Sequence, residues 1–318
     1  MKKEKNMKHA FTAWFIGTAL LASSYARAET LTIDPNLENY TPVSGVSGNL
    51  NSIGSDTLNN LMTFWAESFK TMYPNVNVQV EGKGSSTAPP ALIEGTAQLG
   101  PMSRPMKDEE KDKFEKKYGY KPMEIRVALD ALAVFVHKDN PIEGLTLKQV
   151  DGIFSSTRKL GGSDISDWGK AGVAAWAGKP ISLYGRNSAS GTYGFFKEVA
   201  MGKGDFKSSV KEQPGSSAVV QGIGSDIGGI GYSGIGYATS EVRAIPLAGA
   251  DGVLHEPTYE NVVKGRYPIG RYLYIYVNKK PGQPLDPLIN EFVRFILSKQ
   301  GQEIVIKDGY FPLPNALV

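Results

Sequence analysis

Apolar residues in the first third of the chain follow strand and helix periods in turn. Residues 49–53 have the composition of a short strand, and Val76, Val78 and Val80 alternate with polar residues as in a half-buried strand. Between these segments, apolar residues recur at helical spacing, at Leu58, Leu61, Met62, Trp65 and Phe69. The pattern predicts a strand, an amphipathic helix that ends near Tyr73, and a second strand.

Small hydroxyl residues follow each predicted strand where the next turn begins. The strand 49–53 is followed by the turn 54–57, and the strand ending at Val80 by the turn 82–87. A third junction, 97–104, precedes a charged helix predicted over about residues 108–117. Because a helix N-terminus carries unpaired N–H groups and about half a positive charge, such junctions suit compact anions.

The middle of the chain repeats this arrangement between two long strand candidates. Residues 125–136 and 272–277 are the most strand-like runs, and we expect them to cross from one lobe to another. Between them, a strand at 181–184 leads through the hydroxyl-rich turn 185–192 into a helix. Glycine is so frequent over 222–236 that close backbone packing or tight turns are expected there.

Basic, apolar and small residues follow one another at the N-terminus. Four lysines lie within the first eight residues, an apolar run of about 13 residues spans 10–22, and Ala26-Arg27-Ala28 follows. This is the order of a secretory signal peptide, and the run is shorter than the roughly 20 residues of a bilayer-spanning helix. We therefore expect a protein exported to the periplasm, with cleavage near Ala28 and an arm over residues 29–48.

Composition narrows the classes of function. The chain has 35 Lys and Arg against 32 Asp and Glu, of which the leader holds five and one, so the remainder has 30 against 31 and a formal charge of about −1. This balance argues against a surface for nucleic acid. Cysteine is absent, and only His137 and His255 follow the leader. Neither thiolate chemistry nor a histidine metal cluster is therefore expected, and we predict no cofactor.

Each hydroxyl or carboxylate at the junctions also has a plain structural explanation. Ser, Thr and Asp are favoured helix N-caps because their oxygens accept from free backbone N–H groups. This explanation applies to Ser55, Asp56, Thr57, Ser85, Ser190 and Thr192. The repetition of such residues at successive strand ends favours a shared anion site over independent caps.

Several short motifs resemble those of the phosphate-binding component of ABC-type phosphate importers, over a span from about Leu50 to the C-terminus. The pieces that carry the resemblance are Gly54-Ser55-Asp56-Thr57, Gly84-Ser85-Ser86, 99–104, Arg186 with Ser190-Gly191-Thr192, and 229–234. The arginine followed four residues later by Ser-Gly-Thr is the most specific of them.

The resemblance implies an α/β fold of the two-lobed periplasmic-binding-protein type (type II-like), with the ligand cleft between the lobes. The first lobe is expected to take residues 49–130 plus 270–318, and the second 131–269. The implied function is capture of inorganic phosphate and its delivery to a membrane-embedded ABC phosphate permease. A monomer that is not an enzyme and binds no nucleic acid is expected.

The family's phosphate contacts fall on one set of positions in this chain. The resemblance implies phosphate binding by Ser55, Asp56, Thr57, Ser85, Ser103, Arg186, Ser190, Gly191 and Thr192. Ser103 stands where the best-known members have an aspartate that accepts the hydrogen of protonated phosphate. Since sulfate lacks that hydrogen, such an acceptor sets selectivity. Asp56 is either the replacement acceptor or a simple N-cap.

Other interpretations remain open at the level of sequence. The ligand can be another oxyanion such as sulfate, and a secreted serine-dependent hydrolase is a rival class. The motif support for a hydrolase is poor, because no G-x-S-x-G occurs and the S-x-x-K at 208–211 lacks its companion elements. Arg186 can instead form a surface ion pair, and Arg104 is expected to be structural.

Overall fold

The computed structural model describes residues 31–317, so the predicted leader at 1–28 lies outside the described residues. The helices are α1 (Asn59–Met72), α2 (Ala88–Glu94), α3 (Asp108–Tyr118), α4 (Leu147–Phe154), α5 (Gly191–Val199), α6 (Ser216–Gly224), α7 (Tyr259–Val263), α8 (Pro287–Leu297) and α9 (Lys299–Lys307). The strands are β1 (Gly48–Ile53), β2 (Val76–Glu81), β3 (Gly100–Met102), β4 (Met123–His137), β5 (Leu145–Thr146), β6 (Ser182–Arg186), β7 (Lys211–Gln213), β8 (Gly229–Gly234), β9 (Val242–Ala244), β10 (Leu247–Ala248), β11 (Leu254–His255) and β12 (Gly270–Val277). No helix between residues 31 and 317 has both the length and the apolar character needed to cross a membrane.

A mixed sheet extends through the molecule in the order β3-β12-β4-β8-β6-β7, and β9 pairs with the C-terminal end of β4. Strand β12 lies antiparallel between β3 and β4, and β4 pairs antiparallel with β8. At 15 residues, β4 is long enough to serve both ends of this sheet. The predicted strands at 125–136 and 272–277 are confirmed.

Two apolar cores divide the structure into two lobes. The core of the first lobe is formed by α1, α8 and β12, contains Trp65, and takes Val127 from β4. The core of the second lobe is formed by α4, α5, β6 and β8, contains Trp168, and takes Val134 from β4. Complete burial of side chains of this size stabilises a fold by about 1.5–3 kcal/mol each. The predicted two-lobed α/β architecture is confirmed, and β4 belongs to both lobes.

Parallel pairing of β1 with β2 brings the predicted junctions of the first lobe together. The register places Ile53 opposite Glu81, so the two strands end side by side. On the other side of β1, Leu99 bridges Ser52 just before β3 begins. Because the carboxyl ends of parallel strands meet at one edge, the turns after β1, β2 and β3 all reach that edge.

The glycine-rich segment 222–236 contains a helix end and a buried strand. Helix α6 ends within it, and every residue of β8 is buried. A Cβ on Gly231 would lie 2.6 Å from the carbonyl oxygen of Tyr184 on the neighbouring strand β6. The expected close backbone packing is confirmed. The glycines hide the apolar period, so sequence patterns did not predict α6 and β8 themselves.

The arm before β1 is irregular, as predicted for 29–48 in the part described from residue 31, but it does not only cover the surface. Leu37 and Tyr40 are buried. The Tyr40 hydroxyl donates to Glu291 Oε2 at 3.0 Å and contacts the Tyr73 hydroxyl at 2.6 Å. Burial raises the pKa of Tyr40, and these neighbours raise it further. The arm is thus anchored on the core of the first lobe.

Candidate anion-binding site

Four buried hydroxyl groups from both lobes meet where the strand-end turns converge. Thr57, Ser85 and Ser103 of the first lobe and Thr192 of the second are each at most 1% exposed. Thr57 Oγ1 lies 2.8 Å from Thr192 Oγ1, and Ser103 Oγ lies 3.4 Å from it. Ser85 Oγ and Ser103 Oγ are 3.3 Å apart. We call these four residues the hydroxyl cluster.

Two fixed donors set the direction of hydrogen bonding in the hydroxyl cluster. The backbone N–H of Ser103 donates to Ser85 Oγ at 3.0 Å, and Nη2 of Arg271 donates to Thr192 Oγ1 at 3.1 Å. A hydroxyl that accepts from an obligate donor still has its own hydrogen to give. Ser85 and Thr192 therefore present O–H donors, which suits a ligand whose oxygens are acceptors.

A buried ion pair supports this cluster from the paired strands β4 and β12. Arg271 lies on β12 and Asp130 on β4, and they are 5% and 0% exposed. The Arg271 Nη2 to Asp130 Oδ2 distance is 2.7 Å, and Nε donates to the same oxygen at 2.8 Å. Nη1 of Arg271 donates to the Ser103 carbonyl oxygen at 2.9 Å. The guanidinium is thus held by partners on several elements.

A second ion pair crosses the cleft between the lobes. Arg186 Nη1 of the second lobe lies 3.1 Å from Asp56 Oδ2 of the first. The same Oδ2 accepts from the backbone N–H and the Oγ of Ser216, at 2.8 and 2.9 Å. Burial lowers the pKa of Arg186, while Asp56 opposes that shift. Within residues 31–317, Arg186 Nε is a buried donor without a partner, so this guanidinium has unused capacity to donate.

The N-terminus of α5 comes into direct contact with the first lobe. Gly191 opens this helix, and a Cβ on it would lie 2.2 Å from Ser85 Oγ and 2.8 Å from Ser103 Oγ. At the rim, the N–H of Ser86 donates to the carbonyl oxygen of Ala189 at 3.1 Å. Only glycine allows α5 to approach this closely, so its first-turn N–H groups lie at the hydroxyl cluster.

Backbone contacts hold the first-lobe turn in place. The N–H of Ser55 donates to the Pro101 carbonyl oxygen at 2.8 Å. The hydroxyls of Tyr237 and Tyr310 donate to the carbonyl oxygens of Asp56 and Thr57, both at 2.9 Å. Ser55 itself is 2% exposed. The turn 54–57 is therefore fixed on both of its sides.

The simple N-cap explanation is correct for Ser190 and wrong for the first-lobe residues. Ser190 Oγ accepts from the N–H of Tyr193 at 3.3 Å at the start of α5. Helix α1 begins after Leu58 and has no side-chain cap, so neither Asp56 nor Thr57 caps it. The Asp56 carboxylate instead reaches across the cleft to the first N–H of α6. Ser85 Oγ accepts from Ser103, outside its own turn.

The structure separates the surface ion pair considered for Arg186 from the structural role expected of Arg104. Arg186 does form an ion pair, but it is 2% exposed, so the surface interpretation is wrong. Arg104 donates to both carboxylate oxygens of Glu110, at 2.8 and 2.7 Å. Its expected structural role is consistent with this bidentate pair.

Three residues of the site were missed by sequence reasoning: Asp130, Arg271 and Ser216. A signal was present for Asp130, because it is the charged residue inside the apolar run 127–136. Arg271 gave a weaker signal, at the start of a strand of large apolar residues. Ser216 gave none, since α6 was itself not predicted.

The described residues contain no arrangement of side chains typical of a metal centre. Among residues 31–317, no group of three or more His, Asp or Glu side chains is arranged to hold a metal ion. A cavity of about 780 Å³ adjoins the site and is lined from both lobes, with Arg104 and Lys107 on one wall and Ser190 and Lys197 on the other.

Comparisons with known proteins point to one superfamily. A family model described as a PBP superfamily domain matches residues 39–300. The phosphate-binding protein PstS of Pseudomonas aeruginosa is 58% identical over 315 residues, which cover 98% of this chain and 96% of that protein.

Solved structures of two phosphate transport proteins are similar to this chain at lower sequence identity. A putative phosphate ABC transporter substrate-binding protein from Clostridium perfringens, solved with bound phosphate, is 28% identical with a TM-score of 0.71, covering 84% of this chain and 100% of that one. An ABC-type phosphate transport receptor from Vibrio cholerae is 23% identical with a TM-score of 0.65, covering 83% and 100%. The second supports the fold alone.

Proposed function

Because this chain belongs to the PBP superfamily and to the family of phosphate-binding proteins within it, we propose that it captures inorganic phosphate between its lobes and supplies it to an ABC importer. The observation that carries the proposal is the buried hydroxyl cluster, which is oriented by fixed donors and flanked by two arginines. Phosphate oxygens are acceptors, so each O–H and each free N–H of the cluster has a matching partner.

The proposed contacts are those implied by the sequence motifs. Phosphate is held by Ser55, Asp56, Thr57, Ser85, Ser103, Arg186, Ser190, Gly191 and Thr192. Hydrogen bonds to a charged group contribute roughly 1.5–3 kcal/mol each, and micromolar affinity needs about 8 kcal/mol. A handful of these contacts is therefore sufficient. The unused Nε of Arg186 adds a donor that is already desolvated.

Asp56 is the acceptor we propose for the hydrogen of protonated phosphate. Ser103 cannot accept it as a carboxylate does, whereas Asp56 stands beside Thr57 in the same turn and remains 21% exposed. The contacts of its carboxylate described above all use Oδ2, so Oδ1 is available to a ligand. Sulfate offers that oxygen no hydrogen and is repelled by it.

The test is calorimetric titration of the mature protein, stripped of ligand by partial unfolding, with phosphate and then with sulfate as competitor. We expect one-to-one binding of phosphate that excess sulfate does not displace. Asp56→Asn should keep the fold and narrow the preference for phosphate over sulfate. Asp205→Asn, an exposed change in the second lobe, is the control. Unchanged sulfate competition in Asp56→Asn would refute the acceptor role.

We propose binding, and not catalysis, as the role of the site. In the hydroxyl cluster, Ser85 and Thr192 already accept from obligate donors, and no imidazole of residues 31–317 contacts the cluster. A serine nucleophile needs an adjacent base to take its proton. The serine-dependent hydrolase is therefore the weaker candidate, in agreement with a family of binding proteins.

The remaining expectations complete the proposal. The protein acts as an exported periplasmic monomer, processed near Ala28, that does not bind nucleic acid and docks on a membrane-embedded permease. Its lobe limits are 49–130 plus 270–318 and 131–269, which the change of core between Val127 and Val134 along β4 supports. Hinge closure around the anion creates the form that the permease recognises. Small-angle scattering with and without phosphate measures that closure.

A further inference from the structure

Arg271 lies on β12, which pairs with the shared strand β4, and its guanidinium contacts three different parts of the fold. Nε reaches Asp130 on β4, and Nη1 reaches the Ser103 carbonyl oxygen in the first lobe. Nη2 donates to Thr192 Oγ1 at the N-terminus of α5 in the second lobe. The Arg271 side chain therefore links strands β4 and β12 with both walls of the cleft.

The contact with Arg271 excludes one direction for the hydroxyl hydrogen of Thr192. A guanidinium has donors only, so Thr192 Oγ1 must be the acceptor of the 3.1 Å bond. The hydrogen of Thr192 therefore points away from Arg271, on the side of the oxygen where the Thr57 and Ser103 hydroxyls lie at 2.8 and 3.4 Å and where a ligand oxygen can accept it. Without Arg271, Thr192 is free to turn its hydrogen elsewhere and present a lone pair instead.

The guanidinium is well placed to impose this direction because it is rigidly held. Asp130 is fully buried, and its Oδ2 lies within hydrogen-bond distance of both Nε and Nη2 of Arg271. The ring of Phe195 lies 5.5 Å from the guanidinium carbon. A buried charge left without its partner is costly, so the pair stays together.

We propose that Arg271 is a positioning residue for ligand binding, which directs the Thr192 hydroxyl hydrogen into the cleft and joins the two walls when the lobes meet. The inference rests on the proposed function, since the ligand served is phosphate in the hydroxyl cluster. Arg271 differs in role from Arg186, which touches the ligand directly in that proposal.

The test is a double-mutant cycle read by calorimetric titration of the mature protein with inorganic phosphate. Removing Arg271 alone would leave Asp130 as an unpaired buried charge. The first arm therefore changes both, Asp130→Asn with Arg271→Gln, so that a neutral amide pair remains. The second arm is Thr192→Val, which keeps the branched shape and removes the hydroxyl. The third arm combines all three changes.

We expect the pair replacement to weaken phosphate affinity about 10- to 100-fold in the wild-type background, as the loss of one or two charge-assisted interactions would. In the Thr192→Val background the same replacement should cost less than about 3-fold, because the hydroxyl that it orients is gone. Equal losses in both backgrounds, or no loss in the first, would overturn the inference.

Two controls separate positioning from general stability. Arg243→Gln removes a partly buried arginine of the second lobe that donates to the carbonyl oxygens of Asn140 and Ile142. It should leave phosphate affinity unchanged. Thermal unfolding of every variant reports whether the fold is intact. If the variant with the neutral pair does not fold, Arg271→Lys replaces it in the cycle. The affinity losses in the wild-type and Thr192→Val backgrounds are then compared in the same way.

The outcome distinguishes the inference from the function on which it rests. A wild-type protein that gives no heat with phosphate would overturn the proposed function, and the inference with it. If the wild-type protein binds phosphate but the affinity losses of the single arms multiply in the combined variant, only the role of Arg271 is overturned.

Discussion

A single hydrogen atom on Gly191 separates α5 from two hydroxyls of the first lobe. A Cβ at this position would lie 2.2 Å from Ser85 Oγ and 2.8 Å from Ser103 Oγ. Both serines are fully buried. Gly191→Ala should therefore hold the cleft walls apart and reduce phosphate affinity by at least about 10-fold, a loss of about 1.4 kcal/mol. Calorimetric titration measures the change.

Gly194 provides the matched control on the same helix. A Cβ there would meet only the Arg104 side chain, at 3.5 Å, which is ordinary contact. Alanine at that position also raises helix propensity. Gly194→Ala should bind phosphate as the wild type does. An equal loss of affinity in both variants would mean that α5 tolerates no added volume, and that the Gly191 contact is not special.

Single residues of the site were predictable where they belong to a local motif. Arg186 with Ser190-Gly191-Thr192 lies within seven consecutive positions, so its spacing is visible in the sequence. Asp130 and Arg271 are far apart along the chain and meet only because β4 pairs with β12. Their role depends on strand register, which no local pattern specifies.

Ser190 caps α5 and is also a proposed phosphate contact. Its effects on stability and on phosphate affinity can be measured separately. Ser190 Oγ caps α5, and Thr146 Oγ1 caps α4 in the same lobe by accepting from Gln149 N–H at 3.2 Å. Loss of such a cap costs about 1 kcal/mol. Ser190→Ala should lower both unfolding temperature and phosphate affinity, whereas Thr146→Ala should lower only the unfolding temperature.

Thermal unfolding and titration of both variants check this prediction. An affinity loss in Thr146→Ala as large as that in Ser190→Ala would show that helix stability, rather than the position of Ser190, controls binding. Equal affinity of Ser190→Ala and wild type would remove Ser190 from the proposed contacts.

Elements with a clear apolar period were predicted nearly to the residue, and elements rich in glycine were not. The predicted charged helix at 108–117 is α3 at Asp108–Tyr118, and the strand at 181–184 is β6 at Ser182–Arg186. Strand β8 has three glycines in six residues. Its glycines pack backbone against Tyr184, and only Ile230 and Tyr232 place large apolar side chains in the core, so the apolar pattern is too short to detect.

The stability of the whole molecule should depend on Asp308, which follows α9. Burial raises the pKa of this carboxyl from 3.8 to about 7. The folded state then binds more protons than the unfolded state between about pH 4 and pH 7, so stability falls as pH rises through that window. Asp308→Asn removes the charge, and its advantage in unfolding temperature over wild type should grow from pH 5 to pH 8.

Thermal unfolding at pH 5 and pH 8 tests the direction of this change in stability. Asp112→Asn, an exposed change on α3, should show the same difference from wild type at both. A wild-type advantage that increases with pH would contradict the raised pKa of Asp308.

The late position of β12 in the chain also sets the order in which the fold can be completed. Strand β12 lies between β3 and β4, yet it pairs with residues about 140 positions earlier in the chain. Until β12 is available, β3 and the first half of β4 face each other as unpaired edges, while most of the core of the second lobe comes from one segment, to which Phe311 and Leu313 are added later. Closing so long a loop is slow, because its entropy is lost before the contacts form. The second lobe can therefore fold early, and the last step of folding assembles the first lobe and the cleft together.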